Sequence, residues 1–360
     1  MRNYKYWGGG GECLTNSSFN IQKFAYQKVN NPYTINPIKK KNYKTKADAS
    51  NALVDLTYYA KNSILDYQNI TEIPQENLAY LNSGLTASNM SGMFSECNNL
   101  QSVPKLNIDT SQCTNMGIMF SNCKALTILD LSNFDTSKVT DMHSMFYYCQ
   151  KLTTIDLSNF DTSKVSYMYG MFYDCYSLTS LDLSNFDTSN VTDMGSMFYY
   201  CQKLTTIDLS NFDTSKVTKM DSMFGHCESL TSLDLSNFDT SKVANMNSMF
   251  YYCKSLTSLD LSNFNTSKVT DMRSMFGYCR TLTSLDLSNF NTSKVTDMYS
   301  IFYGCINLEH IEGVIDMKSC TNYYNMFYNC PKLFGVKIKN PPADFESATR
   351  LSSSQYEIVS

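Results

Sequence analysis

The sequence predicts an α/β repeat solenoid, a right-handed coil of short parallel strands and short helices wound about ten times. Three observations predict it. The stretch LTILDLSNFDTSKVTDMHSMFYYCQ, Leu126–Gln150, returns almost unchanged from Leu152, Leu178, Leu204, Leu230, Leu256 and Leu282, a step of 26 residues each time. Its closing cysteine keeps that step through Cys97, Cys123, Cys149, Cys175, Cys201, Cys227, Cys253, Cys279 and Cys305, then arrives one residue early at Cys330. Within each unit the apolar spacing switches from alternate residues to every third or fourth. One unit cannot bury its apolar face until neighbours stack on it, so such a period means stacked coils.

The elements follow in chain order. Residues 1–45 are polar, rich in Asn, Lys, Tyr and Pro, and lack the repeat. They read as an arm that attaches the chain to a larger assembly. The run Gly8–Gly11 is followed by no Lys-Ser pair, so it reads as a hinge and not a phosphate loop. Residues 46–88 hold Leu53, Leu56, Tyr59, Ile64 and Tyr67 at helical spacing, which predicts a helix over Lys46–Tyr67 capping the first degenerate coil. Residues 89–335 form the solenoid. In 336–360, FGVKIKN gives a last strand before Pro341-Pro342, and the remaining tail a C-terminal cap.

In one coil, Leu129 and Leu131 alternate with Asp130, a short strand with the carboxylate pointing away from the core. Asp135, Thr136, Ser137 and Lys138 make a polar turn. Val139, Met142, Met145, Phe146 and Cys149 then keep helical spacing, so a short helix is expected there. Parallel strands stack about 4.8 Å apart, which makes the body roughly 45–50 Å long.

The unit L-x-x-L-D-L-S-N-F-D-T-S-K-V-T-D-M-x-S-M-F-x-x-C resembles the repeat of BspA-like leucine-rich-repeat surface proteins, over about Asn89 to Pro331. Phe134 takes the place of the usual repeat asparagine, and Asn133 precedes it. The resemblance implies a leucine-rich-repeat-like solenoid and a surface-exposed role in adhesion or host interaction.

Composition excludes several classes. A formal net charge of −4 gives no basic stripe for nucleic acid. No run of 18 apolar residues occurs, so no membrane-spanning helix is expected. The first residues show no apolar signal core, which leaves a removed signal or release by another route, such as a virion freed by lysis. The lysine column Lys138, Lys164, Lys216, Lys242, Lys268 and Lys294 reads as a solvated turn. Ten of the 13 cysteines share one apolar face, where a free thiol acts as a small hydrophobe. Off that face lie Cys13, Cys113 and Cys320, with Cys113 expected to be exposed. No C-x-x-C pair suggests zinc.

Catalytic groups are sparse. His143, His226 and His310 fall at what read as surface positions, with no nucleophile placed beside them. The column Asp130, Asp156, Asp182, Asp208, Asp234, Asp260 and Asp286 invites three readings: solubility and edge protection, a ligand or partner surface, and bridging calcium. A glycosidase would need two carboxylates in unlike environments, and seven like sites do not offer them. The residue after the first methionine varies: His143, Tyr169, Gly195, Asp221, Asn247, Arg273, Tyr299. Tyrosines gather just beyond it, among them Tyr148, Tyr200 and Tyr252, as candidate binding residues or as rings packed between coils.

The expectation is a non-catalytic, cofactor-free extracellular recognition protein meeting a protein or glycan on a target cell. It would be borne on a virion, as a phage tail appendage, or on a bacterial surface as an adhesin. A glycosidase-like enzyme is the alternative of a different class.

Overall fold

The computed structural model describes residues 53–360, which fall in one compact unit, Thr45–Ser360. The arm 1–45 and the glycine run lie outside the described residues. The chain winds as a repeat solenoid whose coils add in parallel. Along one side, isolated bridges join Asn115, Asp141, Tyr167, Asp193, Lys219, Asn245, Asp271, Asp297 and Asn322 in turn, all parallel.

That side is built of turns where short helices were expected. Ser144 and Tyr148 sit at φ 52° and 61°, and Ser196, Tyr200, Ser222, His226, Ser248 and Tyr252 repeat this. A right-handed helix does not admit such a φ. The amides instead alternate between two kinds of partner. Met142, Ser144, Phe146 and Tyr148 donate to Tyr167, Tyr169, Met171 and Tyr173 of the next coil at 2.7–3.1 Å. Between them, Met145, Tyr147 and Cys149 donate back three residues, to Met142, Ser144 and Phe146. Successive turns of this kind place Met142, Met145, Phe146 and Cys149 inward, all fully buried. Their spacing mimics a helix, which is why the sequence reads as one.

The opposite, extended side carries the leucines. There β3 (Ser102–Val103) pairs with β5 (Ile128–Leu129), and β6 (Ser284–Asp286) with β7 (His310–Glu312), both in parallel. Between those pairs no strand is assigned, and the coils meet through long bonds such as Thr179 N–H to Thr153 O at 3.3 Å and Thr231 N–H to Thr205 O at 3.4 Å. Leu131, Leu157, Leu183 and Leu209 are buried from this side.

The core is a set of side-chain columns. Phe94, Phe120, Phe146, Phe172, Phe198, Phe224, Phe250, Phe276 and Phe302 stack ring on ring at 5.6–6.0 Å. Each such ring removed from water is worth roughly 1.5–3 kcal/mol. The cysteines do more than fill space. Cys149 Sγ donates to Phe120 O at 3.3 Å, Cys201 to Phe172 O at 3.2 Å and Cys253 to Phe224 O at 3.1 Å, so each thiol stitches two coils. Burial raises the Cys253 thiol to about 12 and the others of the column likewise upward, so they stay protonated. All twelve described cysteines are free and buried. Cys113, expected to be exposed, is buried as well. It lies off the column but inside the same core, its Sγ 3.4 Å from Asn115 O.

Two polar ladders complete the stack. Thr136 Oγ1 donates to Asp161 O at 2.8 Å and accepts the Asp161 N–H at 2.7 Å, and Thr162 with Asp187 and Thr214 with Asp239 repeat both bonds. These threonines are buried, and each hydroxyl pairs with both an amide and a carbonyl of the next coil. Asn159 Nδ2 donates to Leu131 O at 3.0 Å and Phe134 O at 2.8 Å, and Asn185, Asn211 and Asn237 do the same. An asparagine ladder therefore exists, carried by the residue before the phenylalanine.

The ends depart from the period. The helix expected over Lys46–Tyr67 is, among its described residues, a strand and one short helix. β1 (Leu53–Asp55) pairs in parallel with β2 (Leu85–Asn89), and α1 covers Tyr59–Ser63. Leu56, Tyr58 and Ala60 donate to Asn89, Ser91 and Met93, so this segment is stitched on as a coil and helical bonds give way. A further helix, α2 (Gln75–Leu81), follows Pro74. β4 (Ile108–Asp109) completes the first sheet beside β2. At the other end β8 (Val314–Asp316), β9 (Val336–Lys339) and β10 (Tyr356–Ile358) form a parallel sheet. There α3 (Phe345–Thr349) offers Ala348 O and Thr349 O to the Asn325 and Phe327 amides, where the next coil would otherwise stand.

Candidate functional site

The aspartate column lies on the extended side, half-exposed at Asp130 and exposed in the other six coils. Each carboxylate closes a local turn. Asp130 Oδ1 accepts the Ser132 N–H at 3.0 Å, Asp208 that of Ser210 at 2.9 Å and Asp286 that of Ser288 at 2.9 Å; Asp156, Asp182, Asp234 and Asp260 match them. The serine hydroxyl and amide hold every one of these carboxyls below the usual carboxylate range. The seven groups are thus shifted alike and each committed to its own turn.

The tyrosines fall on the turn side and pack on one another. Tyr147 stacks on Tyr173 at 4.4 Å, and Tyr148 meets Tyr147 edge-on at 4.6 Å. Tyr200 and Tyr252 clasp His226 between them, at 4.0 and 4.8 Å with ring planes nearly parallel. Their faces are therefore occupied by neighbours, and edges are what they present. Tyr199 and Tyr251 lie over the glycines of the following coil, where a Cβ on Gly225 would come within 2.6 Å of the Tyr199 ring. Candidates Tyr148, Tyr200 and Tyr252 belong to this one ladder; the aspartates stand in a separate column on the other side.

The ladder contains two polar substitutes. His226, expected at the surface, is half-buried; burial lowers it to about 4, and Lys254 adds to the effect. It is neutral near pH 7 as a result. Asp174 takes the place of a tyrosine between Tyr148 and Tyr200 and is buried. Burial raises its carboxyl to about 6 although Gln150 Nε2 donates to it at 2.5 Å. Nothing in the repeat marks Asp174 as special except that it breaks a column of rings.

The variable column is the least committed part of the turn side. His143 turns back onto Asp141, Nδ1 to Oδ1 at 2.6 Å. Arg273 pairs with Asp271, Nη2 to Oδ2 at 2.8 Å, and reaches Asp297 at 3.5 Å. Lys219, in the adjacent bridge column, bonds Asp193 at 2.9 Å. Charges and rings of this column change from coil to coil on a backbone that does not.

Coils joined in parallel at a fixed period around a phenylalanine and cysteine core define a repeat solenoid of the leucine-rich kind. A family described as "Mycoplasma protein of unknown function, DUF285" matches residues 88–181, 177–259 and 232–340, and this chain belongs to that BspA-like family. No curated protein matches. Among solved structures, a leucine-rich cell surface protein of Faecalibacterium prausnitzii is 17% identical, covering 74% of this chain and 81% of that one, with a TM-score of 0.27. An LRR protein of Leptospira interrogans is 14% identical over 81% of each chain, with a TM-score of 0.25. The functional domain of InlJ from Listeria monocytogenes, described as including a cysteine ladder, is 15% identical over 83% of this chain and 69% of its own, with a TM-score of 0.16. Superpositions at these scores carry no functional information.

Proposed function

We propose that this chain is a non-catalytic recognition scaffold, of about ten coils closed by atypical end segments, that shows its turn side to a protein partner outside the cell. One observation carries the reading. The core columns are consumed by packing and coil-to-coil bonds, and the exposed aspartate column repeats one residue closing its own turn, whereas the half-exposed column His143, Tyr169, Asp221, Asn247, Arg273 changes chemistry at each step. A rigid frame with one variable column suits recognition better than turnover. Against a glycosidase stands the aspartate column, whose carboxyls are all lowered by the same turn and so offer no acid distinct from a base. The proposed setting is a cell surface or secreted protein; no observation among the described residues favours a virion appendage docked by residues 1–45.

The test is capture of surface proteins from candidate target cells by the immobilised full chain. A variant with His143, Tyr169, Asp221 and Arg273 all changed to alanine should fold and lose at least tenfold in capture. Equal capture by that variant sinks the reading, as does glycan hydrolysis by the purified protein.

A further inference from the structure

We infer that the C-terminal end of the stack carries a second binding site, an open hollow that receives the C-terminal carboxylate of a partner polypeptide. None of its lining residues belongs to the variable column, so it goes beyond the recognition reading and is tested apart from it.

The hollow follows from how the stack stops. In successive coils the residue ahead of the cysteine sends its amide across to a carbonyl of the next coil. Tyr252 N–H reaches Gly277 O at 2.8 Å, Tyr278 reaches Tyr303 at 2.6 Å and Gly304 reaches Tyr328 at 2.8 Å. In the last coil that residue is Asn329. The two crossing amides before it, Asn325 and Phe327, are met by Ala348 O and Thr349 O of α3. There the helix ends, the chain passes on to β10, and the Asn329 amide has no acceptor among the described residues. A space of about 550 Å³ is left between the last turn and the segment from Arg350 to Gln355.

Its lining suits an anion. Lys332 and Arg350 face it with Ser352 and Ser354, and among the described residues no acid does, in a chain whose net charge is −4. Arg350 Nη2 donates to Tyr324 Oη at 3.3 Å, and no ion pair reaches it among the described residues. The acids of that segment, Asp344 and Glu346, instead accept the Tyr323 and Tyr356 hydroxyls. Lys332 is partly offset by Glu309, 3.7 Å away. Arg350 also stands at φ 66° on the C-cap of α3, a place that favours glycine. Gln355 fixes the far wall: Nε2 donates to Leu333 O at 2.8 Å, and Oε1 accepts the Ser352 hydroxyl at 2.8 Å.

These groups select among carboxylates. The Asn329 amide calls for an oxygen where a further coil would bring a carbonyl, and a guanidinium takes both oxygens of a carboxylate. Phe334, 58% exposed beside Pro331, offers a rest for an apolar side chain. The last residue of a polypeptide supplies carboxylate and apolar group together. An acidic sugar brings the charge without the apolar group.

The experiment titrates the isotope-labelled full chain with acetyl-glycyl-valyl-leucine, following the Asn329 amide by NMR. Its C-terminal amide, acetyl-glycyl-glutamyl-glycine amide and N-acetylneuraminic acid run alongside. Saturable binding of the free acid is expected, with each of the other three at least about tenfold weaker. Arg350→Gly, which suits the backbone at φ 66°, should lose at least about tenfold in affinity without lowering the unfolding midpoint. Arg280→Gln, which removes an exposed cation elsewhere, should bind as the parent does. Equal binding of the amide form overturns the proposal, as does no saturable binding of the free acid. Equal or tighter binding of the glutamyl peptide or the sugar acid also overturns it, marking a general anion site or a glycan site. Undiminished binding by Arg350→Gly overturns it too, and a lowered midpoint in that variant shows a structural arginine instead.

Discussion

The turn side and the extended side of this solenoid are made from the same number of coils, yet they are held by different means. On the turn side every second amide crosses to the next coil, at 2.7–3.1 Å from Met142 to Tyr148, and a phenylalanine stack and a thiol ladder lie directly beneath. On the extended side the crossing bonds lengthen to 3.3–3.4 Å at Thr179, Thr231 and Thr257, and half-buried Ile155, Ile207 and Leu259 line the core. The difference teaches where order is bought: the turns, not the strands, set the stacking. A repeat named for its leucines is here organised by phenylalanine, methionine and cysteine.

The largest expected effect sharpens that contrast. Phe198→Ala opens a hole in a continuous ring stack with no neighbour free to fill it, and should cost about 3–5 kcal/mol in urea unfolding. Ile207→Ala, on the extended side of the following coil, should cost about 1–2 kcal/mol. Equal losses would show that both sides carry the stack alike.

Next in size is a pH effect confined to the turn side. The carboxyl of Asp174 is raised from 3.8 to about 6 in the fold, so folding favours its neutral form. The stability this gives is complete below about pH 4 and is lost as pH rises through about 6, a fall of up to about 3 kcal/mol. Asp174→Asn keeps an acceptor for Gln150 and should remove that fall, stabilising the protein above pH 6 and not below pH 4. A thermal-unfolding series from pH 4 to 8 reads it, and parallel curves for the two proteins would refute the assignment.

The smallest pair compares two polar columns. Thr214→Val removes the buried hydroxyl that both accepts the Asp239 amide and donates to its carbonyl, and should cost about 1–3 kcal/mol. Asp208→Asn replaces an exposed turn acceptor by one of the same shape and should leave the unfolding midpoint unchanged. A larger loss from Asp208→Asn would promote the aspartate column from turn closure to a structural role.

Much of this was legible in the sequence, because a column repeats its residue at each step and reveals its burial. Cys149, Phe146 and Leu131 announce the core in that way. What stayed hidden has physical reasons. Ser144 and Tyr148 hold positive φ without the glycine or asparagine that usually marks it, so the turns read as a helix. Thr136 reads as one more polar turn residue, since nothing in its neighbours tells that its buried hydroxyl serves the backbone of the next coil. Cys113 lies off the period, and the period was the only evidence of burial. Of the candidate residues, the tyrosines could be grouped from sequence, but not the fact that their faces are spent on each other.

The one-sided stitching has a mechanical consequence. A stack whose backbone amides bind tightly along one edge and loosely along the other opens like pages from a spine. Bending that fans the extended side apart strains long backbone bonds and the asparagine side-chain ladder, whereas bending the opposite way must break the row of short turn-side amide bonds. Load from a tethered partner is then met by curvature before it is met by unfolding, a change of shape that small-angle scattering under changing salt would register.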